Sequence, residues 1–327
     1  MFNRVFAVLL GFLFFAVDLP SASSQIVNVE YQAVGGYSTG RDKAIFYSMH
    51  QDDSMQKPSV GFDGIRRFST SGGDIGLAAV QFRVAVNREG SRAIEPQLYN
   101  AYFRAKTPAA YFWLGHNRPA IGLASEWDTH AQLLQPLSMY GFGFDRDWGV
   151  GLGRDMEWGA VVFSWTTGSG MPLLLKGNEL ASARVSGGVL NRDNFTAGLS
   201  LTEGQTLSTM GYRLMDEFPR RYSTIGMDAA YLWDNFEQRL EFVNGEKNGH
   251  ETWAFFWRMG VNLLEENRLK LELQPVYIKE GRERWKEWGV GGTYLINSDF
   301  TVRAMHAYND LLRDRRTVLQ LYYYSKI

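Results

Sequence analysis

The feature that most constrains the fold is an alternation of apolar and polar residues that recurs along almost the whole chain. Between Trp253 and Leu263 every second residue is apolar, and Leu269, Leu271 and Leu273 continue the pattern among charged residues. Successive side chains of an extended chain point to opposite faces, so each segment has one apolar and one mostly polar face. Segments of about ten such residues, separated by turns, are typical of a β-barrel whose outside contacts lipid and whose inside contacts water.

The first residues of the chain are typical of an export signal. Arg4 precedes an apolar run over 5–17 that is followed by small residues, so 1–24 is expected to be a secretory signal peptide cleaved after Ser24. A transmembrane anchor helix is the alternative, but the run is short, and no later stretch reaches the roughly 18 to 20 apolar residues of a spanning helix. Residues 25–327 are then expected to form one exported β-barrel domain.

The composition excludes several classes of function. The 327 residues include no cysteine, which excludes disulfides, thiolate metal sites, c-type haem attachment and cysteine nucleophiles. The net charge of −1 gives no indication of nucleic-acid binding. The five histidines lack metal-ligand spacing, and His50, beside Asp52 and Asp53, is expected to be a solvated loop residue. Nucleotide-binding and serine-hydrolase motifs are missing, so we expect neither an enzyme nor a cofactor.

Sixteen segments show the alternation, joined by connections that are short and long in turn. The short connections carry Asn, Asp, Gly and Pro, and in barrels of this kind they face the periplasm, which would place both termini there. The two N-terminal segments are less regular, so fourteen or eighteen strands also fit. The expected fold is an all-β, transmembrane, antiparallel, up-and-down β-barrel, with sixteen strands favoured. The segments lie near 26–37, 59–69, 74–87, 95–107, 109–118, 147–154, 158–167, 180–191, 195–204, 222–233, 236–244, 252–264, 268–279, 286–296, 299–309 and 316–327.

Secreted or periplasmic β-sandwiches and β-propellers also contain alternating strands. Their apolar faces pack into a core, whereas many of the apolar faces here carry aromatic rings near strand ends, as at a membrane–water interface. The opposite faces are rich in Gly, Ser, Thr and charge, which favours the barrel. The aromatic residues assigned to the lipid face are Tyr111, Trp113, Trp148, Trp158, Trp165, Tyr231, Trp233, Trp285, Trp288 and Tyr322 to Tyr324.

The C-terminal region resembles a known family. Apolar residues at Leu319, Leu321, Tyr323 and Ile327 make the last strand similar to the C-terminal recognition strand of outer-membrane proteins. The residues from 288 to 303 resemble the penultimate hairpin of Gram-negative outer-membrane porins related to the phosphate-selective class. This resemblance implies an outer-membrane location, insertion by the barrel assembly machinery through the C-terminal strand, and a long third loop folded into the lumen. Porins of this build are often homotrimers. The resemblance does not identify a solute.

The polar faces predict which side chains line a pore. A charged residue that faces lipid near the midplane costs about 2 to 4 kcal/mol, so the charged positions are assigned to the lumen. Rings of Arg or Lys favour anions, and the mildly basic lumen therefore predicts a weak anion preference. In the alternative interpretation these residues pair with acids of the lumen and rigidify the wall. The candidates for selectivity are Arg83, Arg104, Lys106, Arg258 and Arg303.

The longest connection, 119–146, is the third external one. It is expected to be a constriction loop that presents Glu126 and Asp128 to a basic wall, and an ordinary surface loop is the alternative. The expected function is a water-filled diffusion channel in the outer membrane, in contact with its lipids, for small hydrophilic solutes. The alternative function is a porin-like sheath around a multihaem cytochrome, which would conduct electrons across the membrane.

Overall fold

The computed structural model describes residues 22–89 and 93–327, so most of the expected signal peptide lies outside the described residues. Within these ranges sixteen antiparallel strands form one closed barrel, in which each strand pairs with its neighbours in sequence. The last strand closes the barrel by pairing with the first, from Asn28 opposite Lys326 to Ser38 opposite Arg316. The predicted all-β, up-and-down barrel and its sixteen strands are confirmed.

The barrel strands are β1 (Ala22–Ser38), β3 (Ser59–Thr70), β4 (Gly73–Val86), β5 (Ile94–Lys106), β6 (Tyr111–Asn117), β7 (Asp147–Met156), β8 (Gly159–Thr166), β9 (Glu179–Gly187), β10 (Phe195–Thr206), β13 (Arg220–Trp233), β14 (Phe236–Lys247), β15 (His250–Leu263), β16 (Leu269–Glu280), β17 (Glu283–Leu295), β18 (Phe300–Asn309) and β19 (Asp314–Lys326). The short β2 (Lys43–Ile45) pairs with the end of β1, and β11 (Thr209–Met210) forms a small hairpin with β12 (Arg213–Leu214). One helical turn, Leu190–Asp193, joins β9 to β10. In the described part of the chain, no helix is long and apolar enough to cross a membrane.

The short turns have the local chemistry that tight connections need. Asp234 and Asn248 have positive φ angles of 51° and 57° in two-residue connections. Asn and Asp tolerate this left-handed conformation better than other non-glycine residues, which is why they are common in tight hairpin turns. Because the strand number is even, β1 begins and β19 ends at the same rim of the barrel. Asn28 and Lys326 pair near this rim.

The outer face of the barrel is apolar. Large side chains such as Phe112, Leu114, Leu201 and Leu319 are between 51% and 60% exposed, although they belong to regular strands. A closed barrel leaves no strand edge unpaired, so every backbone group of its wall is satisfied without water, and such an apolar surface is stable against lipid. The architecture therefore indicates a multi-pass barrel of the outer membrane.

The assignment of aromatic residues to the lipid face is correct for some residues and wrong for others. Trp158, Trp165, Tyr231, Trp233 and Trp288 are exposed on the outer surface. Tyr111, Trp113, Tyr322 and Tyr324 instead line an internal cavity, Trp148 is buried against loop residue Met171, and Trp285 packs against Tyr140.

The cause of the error is visible in β6 and β7. Tyr111 and Trp113 pair with Gly153 and Gly151 of β7, and each ring covers the space that a side chain at the glycine would occupy. Phe112 on the same strand faces outward. Both faces of this strand are therefore aromatic, so residue type alone could not define its register.

External loops fold back into the barrel. They are loop 1 (39–58), loop 3 (118–146), loop 4 (167–178) and loop 5 (207–219). Met55 of loop 1, Met139 of loop 3 and Met171 of loop 4 pack with Tyr99 of the wall and Tyr212 of loop 5. These five residues are called the methionine cluster. Methionine fills irregular spaces well, which suits a junction of several loops. The core of the protein is thus partly built inside the lumen.

Candidate functional site

Loop 3 lies inside the barrel and spans it to the opposite wall. It leaves β6 and returns to β7, yet its backbone and side chains are bonded to β14, β15, β16 and β17. The amide of Leu123 donates to Glu241 Oε1 at 3.3 Å, and Gln274 Nε2 donates to the Gln135 carbonyl at 2.9 Å. The hydroxyl of Tyr140 donates to Glu287 Oε1 at 2.6 Å.

An apolar cluster lies under the same loop. Leu123, Trp127, Leu137 and Phe142 of loop 3 pack against inward-facing residues of β13 to β16, including Phe256, which is fully buried. Phe256 is an apolar residue on the polar face of β15, and the loop explains it: the ring is covered by protein rather than water. The apolar contacts and the hydrogen bonds together fix the loop to the wall.

Arg258 is the main polar anchor of loop 3 on β15. Its guanidinium donates to the Leu134 carbonyl at 2.7 Å, to Gln132 Oε1 at 2.6 Å and to Gln274 Oε1 at 2.8 Å. It also lies 4.4 Å from the centre of the Trp127 ring, and only 2% of the residue is exposed. A buried guanidinium with this many acceptors orders the loop that supplies them.

Arg83 has the same role for loop 1. It donates to the Met55 carbonyl at 2.6 Å and to Gln97 Oε1 at 2.5 Å, and it forms an ion pair with Glu30 at 3.3 Å. Glu30 also contacts His130 of loop 3, with 2.7 Å between Oε2 and Nε2. One buried group of charges therefore connects the wall, loop 1 and loop 3.

The two predicted constriction acids lie on loop 3, and both are paired. Glu126 forms an ion pair with Arg184, which also binds Asp228 at 2.6 Å. Asp128 accepts from Arg118 at 2.8 Å and lies 3.5 Å from Arg146.

Partial desolvation opposes ionisation of Asp128, whose side chain is 57% exposed, but Arg118, Arg146 and His130 outweigh it and hold its pKa at about 2. The carboxylate is therefore charged at neutral pH and is compensated by its neighbours. The acids of the loop do not face an uncompensated basic wall.

Arg104, Lys106 and Arg303 differ from the other candidates. Within the described ranges none of the three has a carboxylate oxygen at ion-pair distance. Arg104 lies over the Tyr111 ring, 5.4 Å from its centre. Arg303 donates to Gln320 Oε1 at 2.9 Å and lies 5.1 Å from the centre of the Tyr322 ring. Lys106, the last residue of β5, is exposed.

Loop 3 lies between two cavities of the lumen. The outer cavity, about 400 Å³, is lined by residues of loops 1, 3, 4 and 5, including Met55, Met139 and Met171. The inner cavity, about 930 Å³, opens toward the rim of the short turns and is lined by Arg104, Arg118 and several aromatic rings. A third space of about 150 Å³ contains Arg303 and the Leu133 side of loop 3.

Some positioning residues could not be found from the sequence. A register shift in β5 turns Tyr99 into the lumen, where its hydroxyl donates to Asp145 at 2.5 Å and its ring supports Arg146. Asp147 accepts from the backbone amides of Gly168, at 2.7 Å, and Gly170, at 3.0 Å, and so shapes loop 4. A turn nest of this kind has no sequence motif beyond the glycines themselves.

The expectation that His50 is a solvated loop residue is wrong. Its side chain is 15% exposed and lies 3.9 Å from Glu287, because loop 1 folds inward. Burial, followed by the nearby Arg316, lowers the pKa of His50 to about 4. Among the described residues, no group of three or more His, Asp or Glu side chains is arranged to hold a metal ion.

The sequence matches no protein-family profile, and it matches no curated protein. Solved structures are informative instead. OmpF of Salmonella typhi, in a complex with daunomycin, superposes with a TM-score of 0.67 at 11% identity, over 93% of this chain and 98% of that one. The chain has the fold of outer-membrane porins.

Two further solved structures superpose on this chain over a similar length. OmpT of Vibrio cholerae, an outer-membrane protein in its trimer form, gives a TM-score of 0.65 at 10% identity, over 93% of this chain and 100% of that one. The anion-selective porin of Comamonas acidovorans gives a TM-score of 0.63 at 8% identity, over 94% of this chain and 100% of that one. At these identities the similarity establishes the porin fold, and the solute and selectivity must be argued from the residues of this chain.

Proposed function

We propose that the protein is an outer-membrane porin, a water-filled diffusion channel for small hydrophilic solutes with a weak preference for anions. The observation that carries the proposal is loop 3, which crosses a porin barrel and leaves a cavity on each side. In this proposal loop 3 is the constriction. Transport of this kind needs neither catalysis nor a cofactor.

The anion preference is argued from the charges that remain after pairing. Arg83, Arg184 and Arg258 each have a carboxylate within 3.7 Å or less, so their charge is largely compensated inside the wall. In the described part of the chain, Arg104 and Arg303 have no such partner, and each of them borders a cavity. An unpaired guanidinium beside water attracts anions, whereas a paired one contributes little field at a distance. We therefore assign selectivity to Arg104 and Arg303, with Lys106 at the inner rim, and loop anchoring to Arg83 and Arg258.

Glu126 and Asp128 are proposed to shape the constriction rather than to select cations. The ion pair of Glu126 with Arg184 holds loop 3 beside β9, whereas Asp128 pairs with Arg118 inside loop 3 and fixes the shape of the loop itself. Loops 1 and 3 occupy the lumen, which counts against the alternative sheath around a multihaem cytochrome, because such a partner would need an open lumen.

The test is a reversal-potential measurement in planar bilayers under a salt gradient. The double variant Arg104→Gln with Arg303→Gln should lower the anion-to-cation permeability ratio and leave the single-channel conductance nearly unchanged. Arg268→Gln is the matched control, because Arg268 is half-buried at the inner rim, where it lies over the Tyr294 ring, and among the described residues its hydrogen bonds go to the carbonyls of Leu295 and Ile296. A protein that passes no current would reject the porin, and an unchanged ratio would reject the assignment of the two arginines.

We further propose a homotrimer whose contact includes the closing seam of β18, β19 and β1. His306 and Thr317 form a hydrogen-bonded pair at 2.9 Å on the outer face, beside the small residues Ala304 and Gly35. A polar pair is costly against lipid but well placed against another subunit. An SDS-resistant trimer that is weakened by His306→Leu would support this contact. Recognition of the β19 end by the assembly machinery would be tested by deleting Ile327.

A further inference from the structure

Five aromatic side chains line the inner cavity, more than a simple aqueous passage needs. Tyr102, Tyr111 and Trp113 come from β5 and β6, and Tyr322 and Tyr324 come from β19. These rings face a cavity of about 930 Å³ that also contains Arg104. Aromatic walls with a few convergent polar groups are characteristic of sites that hold organic molecules.

The rings are held in place before any solute enters. Tyr322 and Tyr324 are nearly parallel, with 6.1 Å between ring centres and 11° between planes. The Tyr324 hydroxyl donates to Asp63 at 2.7 Å and accepts from Asn28 at 2.8 Å.

Trp113 of β6 is equally constrained. Its indole covers Gly151 so closely that an added Cβ there would collide with the ring. The rings therefore present fixed surfaces, and a fixed surface loses little conformational freedom when a solute binds.

Arg104 supplies a cationic group beside these rings, in a cavity whose lining also includes the carboxylates Asp63, Glu126, Asp128 and Asp155. Its guanidinium lies over the Tyr111 ring at 5.4 Å and has no ion-pair partner in the described part of the chain. A guanidinium binds a carboxylate through two parallel hydrogen bonds, and an aromatic neighbour keeps its plane oriented. Arg118 and Arg192, which line the same cavity, are engaged by Asp128 and Asp193 at 2.8 Å each, so of the arginines described there Arg104 alone has no carboxylate at ion-pair distance.

We propose that the inner cavity is a weak binding site for small carboxylates that carry an aromatic ring, with the carboxylate on Arg104 and the ring against Tyr111, close to the buried edge of Trp113. The inference rests on the proposed porin function and names a substrate class for that channel. The affinity is weak, on the order of millimolar, because a transport site must release its solute. Binding raises the local concentration of such acids on the inner side of loop 3.

Binding is tested directly by tryptophan fluorescence of the refolded protein in detergent, with benzoate as the ring-bearing acid and acetate as the acid without a ring. Benzoate should quench saturably at millimolar concentration, acetate should not, and Trp113→Phe should remove the saturable part. Arg104→Gln should weaken benzoate binding about tenfold, the value expected for one charge-assisted bond. Tyr111→Leu should reduce the affinity for benzoate nearly to the affinity for acetate. Arg268→Gln is the control and should bind like the unaltered protein.

Planar bilayers separate this inference from the porin proposal. Benzoate added on the inner side should increase current noise more than benzoate added on the outer side, because loop 3 lies between the outer side and the site. Current without ring-dependent quenching or noise would overturn the binding site and leave the porin standing. Saturable quenching without any current would reject the porin and leave the site standing. Arg104→Lys is a second variant, used in case Arg104→Gln fails to fold. It keeps the charge but cannot form two parallel hydrogen bonds, so its affinity for benzoate should lie between those of the unaltered protein and Arg104→Gln.

Discussion

Replacing Arg258 by methionine tests whether the arginines of the wall select ions or hold loop 3. The substitution keeps a long apolar stem beside Trp127 and removes the charge and every hydrogen bond of the guanidinium. Two of the bonds go to the loop itself, to the Leu134 carbonyl at 2.7 Å and to Gln132 Oε1 at 2.6 Å. The variant therefore separates the loop from the wall at one defined point.

The size of the effect follows from these two bonds. A hydrogen bond from a charged donor contributes about 1.5 to 3 kcal/mol, so the docked position of loop 3 should lose about 3 to 6 kcal/mol. Since about 1.4 kcal/mol corresponds to a tenfold change in a population, the displaced loop should become roughly a hundred- to ten-thousandfold more populated. The apolar contacts of Leu123, Leu137 and Phe142 still hold the loop in part, which places the expected change toward the lower end.

Single-channel recording measures this change. The Arg258→Met channel should flicker between its original conductance and a larger one, while the thermal stability of the barrel changes little, because the strand ladder is intact. Arg303→Met is the matched control: it removes one lumen arginine whose hydrogen bond goes to Gln320 of the wall and not to the loop. It should lower anion preference without flicker. If Arg258→Met conducts as steadily as the unaltered protein and only its selectivity changes, the anchoring argument is wrong.

Three further results are expected. Because burial keeps the pKa of His50 near 4, against 6.5 for a free histidine, an undocked loop 1 binds a proton that the docked loop does not, and docking should weaken by about 1.4 kcal/mol per unit as pH falls from 6.5 toward 4. Protease cleavage of loop 1 should rise over this range, and His50→Gln should abolish the dependence. Met139→Gln, in the methionine cluster, should expose loops 1 and 4 to protease, whereas Met227→Gln on the outer surface should not. Asp147→Asn should loosen loop 4 by about 2 kcal/mol, seen as faster hydrogen exchange at Gly168 and Gly170.

The strands could be predicted from the sequence because their pattern has a physical cause that acts residue by residue. Each strand of a membrane barrel must be apolar on one face, and a shift of one residue would turn that face inward, so Leu319, Leu321 and Tyr323 define β19 without any knowledge of its neighbours. The same logic finds the last residues of most strands to within a few positions. It fails in β6, where Tyr111 and Phe112 are both aromatic and the choice depends on the glycines of β7.

The loops could not be predicted in the same way, because their positions depend on contacts between distant residues. The length of 119–146 suggested a loop of the lumen, but nothing local indicates that Arg258 binds the Leu134 carbonyl or that Arg83 binds that of Met55. Sequence analysis identified the arginines as inward-facing and left open whether they select or pair. That choice depends on which carboxylates come within a few ångströms, a property of the closed barrel.

The charges bordering the inner cavity explain why the proposed preference is weak. In the described ranges Arg104 faces this cavity without a carboxylate partner, but Asp63, which accepts a hydrogen bond from Tyr324, and Asp155 face it without a cation at ion-pair distance. These opposite charges partly cancel for a distant ion, since a field of opposite charges falls off faster than that of either sign alone. Close to the wall they do not cancel, because a bound carboxylate contacts Arg104 and not Asp63. A wall of this kind discriminates poorly between simple ions and better between solutes large enough to touch particular groups, which makes solute shape the better variable for experiments on this channel.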